Sequence, residues 1–135
     1  MPLTPEQAKL FKDANFLSVA TQGADGCPRV TIIWTDLDED GRIVLDGTET
    51  RKWVKNILRT KKVAVAVHDE KNPYRKVSVV GRIVDTKSEE EGARDWINRL
   101  HRKYHGAGAG DYPVREGERR FLFKVEPESV HSMGV

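Results

Sequence analysis

Residues 15–45, NFLSVATQGADGCPRVTIIWTDLDEDGRIVL, contain three short strands joined by two tight turns. Leu17 and Val19 alternate with smaller or polar neighbours, which predicts the first strand. The β-branched and aromatic run that follows Pro28 predicts the second. Both connections contain glycine and aspartate, so the three strands are expected to form an antiparallel meander. The predicted strands cover 15–21, 29–36 and 42–45.

The remaining sequence predicts three helices and three further strands. Each helix has a capping signal, and these signals are Thr4 for the first helix, Thr48 or Thr50 for the second, and the Ser88–Glu91 capping box for the third. Valine alternation and an aromatic run predict the other strands, which cover 63–68, 74–86 and 119–126. No repeat or linker divides the chain. Residues 1–135 are therefore expected to form one mainly β domain with six strands and about three helices.

Composition excludes several classes of protein. The chain has 135 residues, of which 38% are hydrophobic and 33% charged, and this balance is typical of a globular protein rather than a disordered one. No apolar run approaches the length of a membrane span, and the first residues do not resemble a signal peptide. Cys27 is the only cysteine, so a reducing, cytoplasmic location is expected. A net charge of +2 argues against a nucleic-acid partner.

A basic segment at the start of the second predicted helix is a candidate anion site. A helix N-terminus offers free N–H groups and a partial positive charge to phosphate oxygens. Hydroxyl and cationic side chains at this end strengthen the prediction, and they belong to Thr48, Thr50, Arg51, Lys52 and Lys55. The alternative is a solvated basic face paired with Glu49.

The second strand of the meander is a candidate wall for a flat aromatic ligand, because such pockets are mostly apolar with a few placed polar groups. Its residues are Val30, Thr31, Ile32, Ile33 and Trp34. The alternative is an ordinary core strand. No metal site is expected, since His101 and His105 share a helix face but have no evident third ligand and flank two cations. A hydrolytic triad is not indicated either.

Four stretches in this order resemble the pyridoxamine-phosphate-oxidase-like superfamily, and within it the flavin/deazaflavin oxidoreductases of the F420-dependent class. They are "FLSVATQGADGCPRVTIIWTDLDEDGRIVLDGTETRKWVKNILRTKKVAVAV", "NPYRKVSVVGRIVDT", "INRLHRKYHG" and "YPVREGERRFLFKVEPESVHS". The resemblance implies a six-stranded antiparallel split β-barrel and a homodimer that binds two cofactors at the subunit interface. It places Val30–Trp34 against the cofactor ring and Arg51–Lys55 on its phosphate. Trp53 stands where the family often has lysine, and Lys52 and Lys55 are the neighbouring cations that could replace it.

The resemblance implies hydride transfer between coenzyme F420 and a small, electron-poor organic substrate. Thr31–Ile33 would hydrogen-bond the ring edge through their backbone, and Trp34 or Tyr112 would line the substrate side. FMN is the alternative cofactor. If cofactor binding requires Arg115, Arg119 and Arg120, the longer tail of the deazaflavin would favour F420 over FMN. A non-catalytic protein that binds a flavin or tetrapyrrole is the rival from another class. Neither nucleic acid nor membrane is an expected partner.

Overall fold

The computed structural model describes residues 2–135. Three α-helices and seven strands make up the described chain. The helices are α1 (Pro5–Lys12), α2 (Lys52–Thr60) and α3 (Arg94–His105), with a π-turn (Glu89–Ala93) leading into α3. The strands are β1 (Leu17–Gln22), β2 (Pro28–Ile33), β3 (Asp36–Leu37), β4 (Ile43–Thr48), β5 (Lys62–His68), β6 (Lys76–Ser88) and β7 (Arg120–Met133).

All seven strands form one antiparallel sheet in the order β2-β1-β5-β6-β7-β4-β3. The edge strands β2 and β3 are separated by only Trp34 and Thr35, so their ends lie within about 11 Å of each other. The sheet must therefore curl strongly to bring its two edges together. Within residues 2–135 no backbone pairing joins β2 to β3, and the sheet is not closed.

The predicted mainly β fold with three helices is confirmed, but the strand count differs from the expected six. The segment predicted as one strand over 29–36 breaks after Ile33, and its last part pairs with β4 as β3. The break occurs because Thr35 is bound by α3: its N–H donates to Tyr104 Oη at 3.2 Å, and its carbonyl accepts from Lys103 Nζ at 2.6 Å. These contacts come from distant sequence and are not visible in the strand pattern.

The helix caps agree with the prediction at two of three positions. Thr4 and Gln7 form a capping box on α1, and Ser88 and Glu91 form one before the π-turn. The predicted cap of α2 is wrong, because the helix begins after Arg51, which makes no side-chain capping bond. Thr48 instead ends strand β4, and its hydroxyl hydrogen-bonds the hydroxyl of Thr50 at 2.8 Å.

Two hydrophobic clusters lie on opposite faces of β4. Ile43 and Leu45 face the main core, which fills the curled sheet together with residues of α1 and α2. Val44 faces a second cluster formed mainly with α3, whose members are Ala93, Trp96, Ile97, Leu100 and Leu122. All six residues of β4 are consequently buried, as expected for a strand covered on both faces.

Candidate functional site

A cavity of about 370 Å³ opens where edge strand β2, the end of β4 and the start of α2 meet. Helix α3 and the segment 112–118 complete its wall. Of the residues proposed from sequence, the cavity brings together Thr31, Ile32, Ile33, Trp34, Thr48, Arg51, Tyr112, Arg115 and Arg120. The others do not line it, and these are Val30, Thr50, Lys52, Lys55 and Arg119.

The residues that do not line the cavity are separated from it by the geometry of their elements. Val30 projects from β2 with 72% of its surface exposed. Lys52 and Lys55 lie on the exposed face of α2, because Trp53, Val54 and Ile57 turn the opposite face to the core. Arg51 is thus the one basic residue of the predicted segment at the cavity.

The aromatic wall of the cavity is built around Trp34. Its ring stacks on Tyr104 at 5.4 Å between centroids, and Tyr112 and His105 meet it edge-on at 6.0 and 5.2 Å. Trp34 is further positioned through its neighbour Thr35, which Lys103 and Tyr104 hold as described above. Such packing presents a pre-formed apolar wall, as binding sites for planar ligands require.

Helix α3 holds this wall with two partly buried polar side chains. Lys103 Nζ also donates to the carbonyl of Phe11 at 2.9 Å, and Tyr104 Oη donates to the carbonyl of Asn15. Burial lowers the pKa of Lys103, and the carboxylate of Asp36 at 3.6 Å opposes this effect. Burial raises the pKa of Tyr104, so the phenol remains a hydrogen-bond donor at neutral pH.

Charged side chains also line the cavity. Arg51, Arg115 and Arg120 line it, together with the carboxylates Asp46 and Glu118. Among these, Arg120 and Asp46 form a buried ion pair, with 2.9 Å between Arg120 Nη1 and Asp46 Oδ1. Three cations against two carboxylates suit a ligand that carries anionic groups.

The Asp46–Arg120 pair is held between β4, β7 and the segment that contains Tyr112. The guanidinium of Arg120 lies 5.0 Å from the centre of the Tyr112 ring, a cation–π distance. Burial raises the pKa of Asp46 to about 7, although the hydrogen bond and charge of Arg120 lower it. Asp46 Oδ2 and Arg120 Nε have no hydrogen-bond partner in the described structure.

Trp53 occupies the position where the resemblance led us to expect lysine. Its ring lies against Gly47, where an added Cβ would be 2.4 Å from Trp53 Cζ2, and it meets Phe123 edge-on at 6.4 Å. Trp53 is only 7% exposed and lines the cavity. The start of α2 therefore offers an apolar surface and the single cation Arg51.

Several cavity residues were not proposed from sequence, and they are Phe16, Asp46, Gly47, Ile97, Leu100 and Glu118. The sequence did contain a signal for Asp46, because a carboxylate in the otherwise uncharged strand IVLDGT needs a partner when it is buried. The sequence contains no such signal for the apolar residues of the cavity, since they look like ordinary core residues.

Other candidate sites are less developed. The rings of His101 and His105 are 4.9 Å apart, but among residues 2–135 no group of three or more His, Cys, Asp or Glu side chains could hold a metal ion. A second cavity beside α1 contains the acidic turn 38–40, where Asp38 Oδ2 lies 3.2 Å from Lys124 Nζ. None of the helices in the described part of the chain is long and apolar enough to cross a membrane.

The family model for pyridoxamine 5'-phosphate oxidase matches residues 3–134, so the chain belongs to this family. The solved structure of an F420 reductase superposes with a TM-score of 0.81 at 24% identity, covering 96% of this chain and 98% of that one. The haem storage protein HutZ from Vibrio cholerae gives a TM-score of 0.65 at 17% identity, covering 99% and 96%.

A conserved hypothetical protein from Mycobacterium tuberculosis gives a TM-score of 0.69 at 19% identity, covering 98% of this chain and 85% of that one. At these identities the structural matches establish the fold alone. None of the curated proteins matches the sequence significantly. Proteins of this fold thus include an F420 reductase and a haem storage protein.

Proposed function

We propose that this protein is an oxidoreductase that binds coenzyme F420 and uses it to reduce a small organic molecule. The observation that carries this proposal is the cavity's mixed lining, which combines the aromatic side chains Trp34 and Tyr112 with the cations Arg51, Arg115 and Arg120. A deazaflavin combines a planar ring with an anionic tail, and this arrangement matches both parts. The similarity in fold to an F420 reductase supports the same assignment.

The cofactor would supply the hydride chemistry, and the protein would bind and orient it. Strand β2 is the edge of the sheet, so its outward backbone groups are free of strand pairing on one side and available to the edge of a ring. Trp34 and Tyr112 would cover the ring and exclude water. Arg51 would hold the phosphate at the start of α2, where its side chain is joined by the backbone N–H groups of the first helical turn.

Arg51→Ala is expected to weaken F420 binding about 10- to 100-fold, the loss typical of a charge-assisted contact to a phosphate. Lys55→Ala is the matched control, because this lysine lies on the exposed face of the same helix and does not line the cavity. The measurement is a fluorescence or calorimetric titration with F420. Equal affinities for the two variants would contradict the phosphate assignment.

FMN is the second candidate cofactor. Its single phosphate needs fewer cations than the longer F420 tail, so the cavity's additional Arg115 and Arg120 favour the deazaflavin. Parallel titrations with F420, FMN and haem separate the alternatives. Preference for FMN would move the proposal to that cofactor, and preference for haem would replace the oxidoreductase by a tetrapyrrole-binding protein. Among residues 2–135 no His, Cys or Met lines the cavity, and Tyr112 is the one side chain there of a type that serves as an axial ligand of haem iron.

A homodimer is part of the same proposal, with the exposed face of β2, β1, β5 and β6 as its interface. Cross-strand pairing places two rows of uncharged side chains side by side on this face, namely Val30, Ala20, Ala64 and Val80, and Ile32, Ser18, Ala66 and Ser78. Val30, Ile32 and Val80 are 53–72% exposed. Because Ile32 also lines the cavity, a second copy seated on this face would cover the cavity's open side.

Val80→Lys is expected to convert this dimer to a monomer, because it places a charge at the end of an otherwise uncharged row within the interface. Val84→Lys is the control, since Val84 is an exposed valine at an irregularity of the same strand and belongs to neither row. Sedimentation velocity measures the change. A wild-type protein that is monomeric at the concentration of the cofactor titrations would refute the dimer.

A further inference from the structure

The Asp46–Arg120 pair lines the cavity with part of its hydrogen-bonding capacity unused. The side chain of Asp46 is fully buried and that of Arg120 is 6% exposed. One carboxylate oxygen, Asp46 Oδ2, and one guanidinium nitrogen, Arg120 Nε, lack hydrogen-bond partners. A buried ion pair is stable only when its remaining donors and acceptors are satisfied, so this pair is poorly compensated.

The charges around Asp46 come from every element packed against it. Arg120 of β7 and Arg94 of α3 favour the ionised carboxylate, whereas Glu89 of the π-turn opposes it. The other charged residues that line the cavity are Arg51, Arg115 and Glu118. The Arg94 guanidinium is itself shared with Glu89 at 3.2 Å, so Arg120 is the main cation available to Asp46.

We propose that an anionic ligand group and Asp46 share the charge of Arg120, so that the cavity takes up its anion together with a proton on Asp46. The inference rests on the proposed function only in requiring an anionic ligand. An anion that enters next to Arg120 places a second negative charge beside the Asp46 carboxylate. Because this region is shielded from water, the repulsion is weakly screened, and protonation of Asp46 relieves it.

Binding and protonation are linked in both directions. If the anion favours protonated Asp46, then lower pH must strengthen anion binding by the same coupling free energy. Burial already raises the pKa of this carboxyl to about 7, so the coupling acts near neutral pH. If binding raises the pKa of Asp46 by about one further unit, the anion will bind about fivefold more tightly at pH 6 than at pH 8.

The test uses sulfate, because this probe remains a dianion from pH 5 to pH 9. The carboxyl carbon of Asp46 is followed by NMR over this range, with Asp46→Asn giving the assignment. We expect sulfate to raise the titration midpoint of Asp46 by about one unit, and wild-type sulfate affinity to fall about fivefold from pH 6 to pH 8. An unchanged midpoint, or an absence of sulfate binding at the cavity, would overturn the proposal.

Asp38→Asn is the matched control, since Asp38 is also a buried aspartate beside a cation, Lys124, but lines the other cavity. It should retain the pH dependence of sulfate binding, which Asp46→Asn should lose. If Asp46→Asn does not fold, the pH dependence of sulfate affinity in the wild-type protein still tests the proposal. FMN and phosphate-free riboflavin identify the source of the anion. A midpoint of Asp46 that is raised by sulfate and by FMN, but not by riboflavin, assigns the anion to the cofactor. A midpoint that is raised by sulfate but by neither flavin assigns it to the substrate.

The outcomes also separate this inference from the proposed function. Sulfate that raises the midpoint in a protein that binds neither F420 nor FMN would support the proton-coupled site and refute the oxidoreductase. F420 that binds while sulfate leaves the midpoint unchanged would support the cofactor assignment and overturn the coupling.

Discussion

Arg120→Met is expected to lower the free energy of unfolding by about 3–5 kcal/mol at pH 8, as is typical when one partner is removed from a buried ion pair. The guanidinium Nη1 lies 2.9 Å from Asp46 Oδ1, and both side chains are almost completely buried. Without Arg120 the carboxylate would be left in the protein interior without its main compensating charge. Urea unfolding followed by circular dichroism measures the difference.

The loss should be smaller at acidic pH. Burial raises the folded-state pKa of Asp46 to about 7, and removing Arg120 removes the principal effects that lower it. The unfolded-state pKa of an aspartate is about 4, so the folded protein binds more protons between these values and its stability decreases as pH rises through them. Near pH 5.5 Asp46 is protonated in both folded proteins, and the deficit of the variant is therefore smallest there.

Two comparisons make this prediction specific. Arg119→Met removes the neighbouring arginine, whose side chain is 72% exposed, and should change stability by no more than about 0.5 kcal/mol. The double variant Asp46→Asn/Arg120→Met should be more stable at pH 8 than Arg120→Met alone, because the unpaired charge is gone. A loss that is equal at pH 5.5 and pH 8 would show that Arg120 acts through packing rather than charge.

Gly47→Ala is expected to lower the free energy of unfolding by about 3 kcal/mol, at the upper end of the range for overpacked cores. The added Cβ would lie 2.4 Å from Trp53 Cζ2 and 2.9 Å from Val54 Cγ2. Trp53 cannot easily move away because it is buried and packed against Phe123. The substitution should also weaken cofactor binding, since Gly47 and Trp53 both line the cavity.

Gly108→Ala provides the control for this substitution. An added Cβ at Gly108 would meet no atom within 4 Å, and the stability of this variant should lie within about 0.5 kcal/mol of wild type. Adding Trp53→Leu to Gly47→Ala should recover part of the loss by making room for the methyl group. Equal melting temperatures for the two alanine variants would show that β4 and α2 can move apart to accommodate the methyl group with no loss of stability.

The sequence predicted those features that depend on neighbouring residues. The caps at Thr4 and Ser88 are local hydrogen-bond patterns, and both are present in the structure. Strands β6 and β7 were also predicted, although β6 is shifted two residues towards the C-terminus and β7 extends well beyond its predicted end at residue 126. Local chemistry was therefore a sufficient guide wherever the relevant partners lie within a few residues.

The candidate site depended on contacts between distant segments, and it was predicted less completely. Helix α2 begins at Lys52, which turns Lys52 and Lys55 away from the cavity and leaves Arg51 beside it. The buried state of Asp46 depends on α3 covering the second face of β4, about 50 residues later in the chain. No pattern within the strand itself reveals that covering helix.

The unequal burial of the cavity's two strands has a consequence for how the protein can evolve. Strand β4 is covered on both faces, so nearly every substitution there disturbs a core. Strand β2 and the segment 112–118 are exposed or half-buried, and they contribute many of the side chains that a ligand would meet. Mutation can therefore alter ligand preference at these two places while the scaffold remains folded, which gives the lineage a route to new substrates.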